Sequence, residues 1–332
     1  MRSRRLISTV ESHTEGMATR MVIGGVEPIA GETMRESLAT AAREHADLHG
    51  LLVLEPRGHL AMTAAILQAP RDPAADVGVI FVEASGFLPM CGHAAIGVAT
   101  SMVETGMLAV SEPTTVVRLD TAAGLVAVSV AVSEGRARSA TLTNVPSFLA
   151  AGDCAVQVPG VGEVRYDLAF GGNFYPIVEA ASLGLELRPE AGPELVRLGR
   201  EIAAAVDAEP LPAHPETGES GTRYTQFVGP ALGEADSRSV VVGRSGYFDR
   251  SPCGTGTSAR VAQLAAAGEL AVGQEFVNES LIGSHFVARI EHQTEVGGLA
   301  AVVPSITARA WITGHHQFLL DPEDPFPSGI SF

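Results

Sequence analysis

The chain has 332 residues, 46% hydrophobic and 18% charged, which describes a globular protein with room for two cored domains and excludes a disordered one. Its net charge of −16 excludes a nucleic-acid partner, because neutralising phosphates takes clustered cations. All 22 basic residues are arginine, and the missing lysine removes an internal pyridoxal phosphate Schiff base, a lysine nucleophile and a Walker A loop together.

Arg2, Arg4 and Arg5 open the chain, but Glu11 and Glu15 arrive before any long apolar run, so neither a signal peptide nor a membrane span is expected. Three cysteines without a CxxC pair read as reactive thiols of a cytoplasmic protein rather than a disulfide framework. Residues 5–10 and 20–24 alternate as strands, with Ser12-His13-Thr14-Glu15-Gly16 as the loop between them. Residues 32–48 have apolar side chains at helical spacing, and residues 51–54 read as a short buried strand. His45 and His49 stand four apart, but Ala46 follows His45, so the HExxH pattern is absent and no metal is expected.

Residues 77–82 form a further predicted strand, and residues 94–104 a helix apolar enough to be buried all round. Strands follow over 116–119 and 125–132, turning at Gly124. The pattern breaks at Glu134-Gly135-Arg136 and suggests a first domain over 1–136 and a second over 137–302, with strands over 303–332 returning to the first. In the second half, Cys154 sits in a loop-like Gly-Asp-Cys-Ala context and reads as a bystander. Gly171-Gly172-Asn173-Phe174-Tyr175 reads as a turn, 189–205 as a helix and 210–221 as a Pro/Gly/Glu-rich loop. Strands over 240–242, near 280–291 and over 299–313 surround a helix completed by 260–267.

One arrangement occurs twice. Met90-Cys91-Gly92-His93-Ala94-Ala95 and Ser251-Pro252-Cys253-Gly254-Thr255-Gly256 each follow an apolar run and a Ser-Gly-aromatic step, Ser85-Gly86-Phe87 and Ser245-Gly246-Tyr247. Each cysteine stands fifteen residues before a glycine, Gly106 or Gly268, that opens a similar segment. This is an internal duplication of strand, tight turn, Cys-Gly at a helix start, helix and glycine stop. A helix start offers unpaired N–H groups and partial positive charge, which hold a carboxylate and lower a thiol pKa. Two such thiols facing one another suit proton removal α to a carboxylate from one face and proton delivery to the other.

These two motifs, with His13-Thr14-Glu15-Gly16, Glu55-Pro56-Arg57-Gly58-His59, Gly171-Gly172-Asn173-Phe174-Tyr175 and Phe227-Val228-Gly229-Pro230, resemble the proline racemase family over nearly the whole chain. The resemblance implies an α/β fold of two pseudo-symmetric domains, each a curved, mostly antiparallel sheet or barrel around a central helix, as in diaminopimelate epimerases. It implies Cys91 and Cys253 as the acid/base pair, substrate contacts from Gly92, His93, Gly254 and Thr255, and Asp249 as acceptor from a ring ammonium. It implies no cofactor and a small-molecule imino acid as partner, with a homodimer left open. Retention of both cysteines favours stereo-inversion over the family's dehydratases. Proline racemases of the family close the ring pocket with phenylalanines, whereas the approach to Cys253 here is Val240-Val241-Val242-Gly243, which would leave room for a ring hydroxyl. The expected reaction is therefore epimerisation of trans-4-hydroxy-L-proline to cis-4-hydroxy-D-proline, with proline racemisation or non-catalytic imino-acid binding as alternatives. Gly254-Thr255-Gly256-Thr257-Ser258-Ala259 also fits G-x-G-x-x-A, but Gly254 does not come straight off a strand and that reading leaves both cysteines unexplained.

Overall fold

The computed structural model describes residues 5–330. One compact unit is formed by the chain up to Leu142 together with the segment from Ala308 onward, and the other is Thr143–Thr307.

The first unit runs β1 (Arg5–Thr14), β2 (Met17–Gly24), α1 (Met34–Glu44), α2 (Ala46–Val53), β3 (Met62–Gln68), β4 (Val77–Glu83), β5 (Gly86–Leu88), α3 (Gly92–Glu104), β6 (Thr114–Thr121), β7 (Gly124–Ser133) and β8 (Arg136–Thr143). A returning strand, Ala310–Leu320, pairs antiparallel with β1. From there the sheet continues through β2, β3, β4, β6, β7 and β8, antiparallel except for the β2–β3 and β4–β6 pairs. Helix α3 touches strands at both ends of this series, β1 and the returning strand at one and β6 and β7 at the other. A flat sheet could not do this, so the sheet wraps around the helix. The composition of α3 permits it, since every residue from Gly92 to Val103 is buried. A Cβ at Gly97 would come within 3.1 Å of Thr19 Oγ1, so glycine sets how closely the helix lies on β2.

The second unit repeats this order with β9 (Phe148–Val158), β10 (Gly162–Phe170), β11 (Phe174–Glu179), α4 (Gly192–Asp207), β12 (Tyr224–Gly229), β13 (Ser237–Gly243), β14 (Tyr247–Phe248), α5 (Gly254–Ala266), β15 (Glu275–Glu279), β16 (His285–Val296) and β17 (Leu299–Ala308). Its parallel pairs, β11–β12 and β13–β15, fall at the places equivalent to those of the first unit. Helix α5 takes the enclosed position, touching β9, β10, β11 and β16, while α4 packs against β12 and β13. The closeness of α5 to the turn after β10 depends on Gly171, where a Cβ would lie 2.2 Å from Thr255 O and 2.5 Å from Ala259 N.

Several local expectations are corrected. The helix expected over 32–48 breaks at His45, whose φ of −126° and ψ of 34° leave the helical region. Residues 51–53 are the end of α2 rather than a strand, with Leu54 its C-cap, and Leu48, Leu51, Leu52 and Val53 are all buried there. A four-residue apolar run reads the same in either state. The loop expected at Ser12–Gly16 is only the turn Glu15-Gly16, both with positive φ, and His13 and Thr14 extend β1. Cys154 lies in β9 opposite Tyr166, beside a bulge at Asp153 where φ is 51°.

Candidate active site

Cys253 follows the β13–β14 hairpin. The backbone N–H of Asp249 donates to Val241 O at 2.8 Å, and Asp249 Oδ1 accepts from both Ser251 N and Ser251 Oγ at 2.8 Å. Ser251 Oγ in turn accepts from Cys253 N at 3.2 Å. Asn278 braces the other side, its Nδ2 donating to Ser239 Oγ and Thr257 Oγ1, each at 2.8 Å. These bonds hold Cys253 at φ 64° and ψ 121°, a backbone state that a non-glycine residue keeps only when its surroundings impose it.

The sulfur of Cys253 caps α5 by accepting from Gly256 N at 3.4 Å. Thr255 Oγ1 lies 3.7 Å from it and Tyr175 Oη 3.8 Å, and these two hydroxyls are 2.6 Å apart. Burial pushes the thiol up to about 12, and the Asp249 carboxylate adds to the shift, while Gly256 N–H, Thr255 and Tyr175 oppose it. The helix start was expected to lower this pKa. Removing the sulfur from water outweighs the helix end, so the thiol is protonated at neutral pH. Burial also raises the Asp249 carboxyl to about 6 against its Ser251 bonds. A sulfur held by the Gly256 N–H and by a pair of mutually bonded hydroxyls can lose and regain a proton without rearranging its neighbours.

Cys91 stands at the equivalent place before α3, in the extended region at φ −143° and ψ 115°, without a capping bond from its sulfur to the helix. Its partner is His93, whose Nδ1 lies 3.5 Å from the sulfur. Burial lowers the His93 pKa to about 4, so the ring is neutral at pH 7 and can accept or donate one proton. Thr14 Oγ1 donates to His93 O at 2.8 Å and ties β1 to the first turn of α3.

The structure thus gathers Cys91, Gly92 and His93 at one helix start, and Asp249, Cys253, Gly254 and Thr255 at the other. Tyr175 closes the Gly171–Tyr175 motif, to which the sequence alone attaches no chemical role. What joins it to the site is three-dimensional: Gly171 and Gly172 lie close against Thr255, and β11 packs on α5. A cavity of about 360 Å³ in the second unit, lined by Asp167, Glu179, Arg260, Gln263 and Glu269 among others, includes none of the predicted site residues. Among the described residues, no three His, Cys, Asp or Glu side chains gather to hold a metal.

A sequence profile described as proline racemase matches residues 9–331. The chain is 52% identical over 331 residues to a 4-hydroxyproline 2-epimerase of Streptosporangium roseum, covering 99% of each chain. It is 40% identical to a proline racemase of Clostridioides difficile, again over 99% of each. The crystal structure of a hydroxyproline epimerase from Agrobacterium vitis with bound trans-4-hydroxy-L-proline superposes with a TM-score of 0.92 at 36% identity, covering 100% of this chain and 96% of that one.

Proposed function

The chain belongs to the proline racemase family, and from that premise we propose that it is an isomerase inverting Cα of a small imino acid, converting trans-4-hydroxy-L-proline to cis-4-hydroxy-D-proline in the cytoplasm. The observation that carries this reading is the matched pair of Cys-Gly helix starts, each with hydrogen-bonding side chains at its sulfur. One thiolate removes the Cα proton, and the other thiol supplies a proton to the opposite face. Helix N–H groups at Gly92, His93, Gly254 and Thr255 hold the carboxylate as its charge grows. Asp249 meets the ring ammonium. That pairing also bears on the thiol, because Asp249 opposes ionisation of Cys253 and a bound cation removes this opposition. Substrate therefore helps to make the base that attacks it. The sequence offers no lysine for a Schiff base, so the two sulfurs and the amides carry the chemistry. Among the described residues no helix is long and apolar enough to cross a membrane.

Polarimetry in heavy water with each proline and 4-hydroxyproline isomer, without added cofactor, tests the reading. The D-epimer should appear with one solvent deuterium at Cα, and Cys91→Ser and Cys253→Ser should each lose at least about a hundredfold in turnover while staying folded. Full turnover in either variant would remove the two-thiol mechanism. Turnover of proline alone would favour the alternative racemase reading. Binding without Cα exchange would make the protein a binder.

A further inference from the structure

Tyr175 is 1% exposed on β11 and lies in an apolar layer with Ile177, Val228, Val241 and Ala259, its ring stacked on Tyr224 at 5.7 Å between centroids. Phenylalanine would fill that layer equally well, so packing does not account for the hydroxyl. A buried phenol needs a polar partner, and this one meets Thr255 Oγ1 and the sulfur of Cys253. We propose that Tyr175 is a positioning residue for Cys253, its hydroxyl pairing with that of Thr255 so that one of the two always donates to the sulfur when the thiolate forms. The inference rests on the acid/base reading of Cys253 given above.

Two hydroxyls carry two hydrogens, and a thiolate carries none. Either Tyr175 donates to Thr255 and Thr255 to the sulfur, or Thr255 donates to Tyr175 and Tyr175 to the sulfur. When the sulfur is protonated, the S–H donates into the same pair, so both states keep the heavy atoms in place. Gly256 N–H supplies a third contact. The charged and titratable groups acting on this sulfur are Asp249, with Arg250 beside it, and Tyr175, which itself feels Tyr224. Asp249 opposes ionisation, while Tyr175, Thr255 and Gly256 favour it. Without the phenol, Thr255 loses the bond that fixes its rotamer, and its hydroxyl no longer donates to the thiolate from a fixed position.

The test is iodoacetamide alkylation of the full chain in the absence of substrate, with each cysteine followed by peptide mass over a range of pH. Tyr175→Phe should slow alkylation of Cys253 about tenfold at every pH between about 7 and 9, where the rate follows the small thiolate fraction, and leave the Cys91 profile unchanged. Thr255→Val should move the Cys253 profile in the same direction. A purely packing role for Tyr175 would lower stability and leave the Cys253 alkylation rate at each pH where it was. If Tyr175→Phe does not fold, 3-fluorotyrosine placed at 175 is the second variant. Its more acidic phenol donates better and should speed alkylation of Cys253 at the same pH. A Cys253 profile that superimposes on the wild type in the folded variant overturns the inference, even if Cys253→Ser abolishes turnover. A shifted profile together with a fully active Cys253→Ser would instead overturn the proposed mechanism, leaving the hydroxyl–sulfur pairing but removing its part in catalysis.

Discussion

Gly256→Ala probes how tightly the second helix start is fitted to its sulfur. A Cβ at this position would lie 2.7 Å from Val241 Cγ2 and 3.3 Å from both Cβ and Sγ of Cys253. Carbon pairs rest at about 3.5–4.0 Å, so the first contact asks for a movement of about 1 Å. Val241 cannot swing away, being β-branched and buried on β13. The helix start must move instead. Overpacking of this kind costs about 1–3 kcal/mol, and replacing a helical glycine returns at most about 1 kcal/mol, leaving a net loss of about 0–3 kcal/mol. The effect on turnover should be larger. The Gly256 N–H bond to the sulfur is already 3.4 Å long, and a shift of the first turn breaks it. Losing a donor to a charged sulfur costs about tenfold to a hundredfold in rate. The measurements are initial rate by polarimetry and the urea midpoint. Adding Val241→Ala frees the space that Cγ2 occupies, so the double variant should recover rate and show favourable coupling of about 1 kcal/mol. A Gly256→Ala enzyme with wild-type rate, or strictly additive effects in the cycle, would refute the fit described here.

Two further outcomes concern buried charge. The carboxyl of Asp249, at about 6 when folded, lies above its unfolded value, so its contribution to stability is complete below about pH 4 and fades as pH rises through 6. His93, at about 4, lies below its unfolded value, so its contribution is complete above about pH 6.5 and is lost as pH falls. Each amounts to about 3 kcal/mol at most, and across this window they oppose one another. Urea titrations at pH 4, 5 and 6 should therefore show Asp249→Asn gaining on the wild type as pH rises, while His93→Gln gains as pH falls. Slopes of the same sign would contradict the assignment. In the first unit, Glu11 Oε1 accepts from Arg20 Nε at 2.8 Å, and both side chains are buried. Glu11→Ala strands the guanidinium and should cost about 3–5 kcal/mol, whereas Glu11→Ala with Arg20→Met should recover much of it; a loss below about 1 kcal/mol in the single variant would count against a buried pair.

The paired helix starts were legible because they rest on signals that survive locally: a Cys-Gly step, an apolar helix and a glycine stop, each repeated with the same spacing. The all-round burial of α3 followed from its composition alone. What was not legible depends on contacts between distant segments. Residues 51–54 carry no signal that separates a buried helix end from a strand. The φ of 64° at Cys253 is unreadable, since positive φ is announced in sequence by glycine or asparagine and here is imposed by Asp249, Ser251 and Asn278. The direction of the Cys253 shift was misjudged for a related reason. A helix start is visible in sequence, while the depth at which the sulfur lies is not.

The strand Ala310–Leu320, which covers the edge of β1 over its whole length, comes last in the chain. During synthesis, Thr143–Thr307 emerges as one uninterrupted stretch and has all of its own strands before that edge can be covered. The earlier-made half must wait, with β1 presenting open backbone groups on a ribosome still translating. Birth order and completion order are thus reversed in this protein. A chain cut short before residue 308 would leave an adhesive edge at its front, not merely a missing tail at its back.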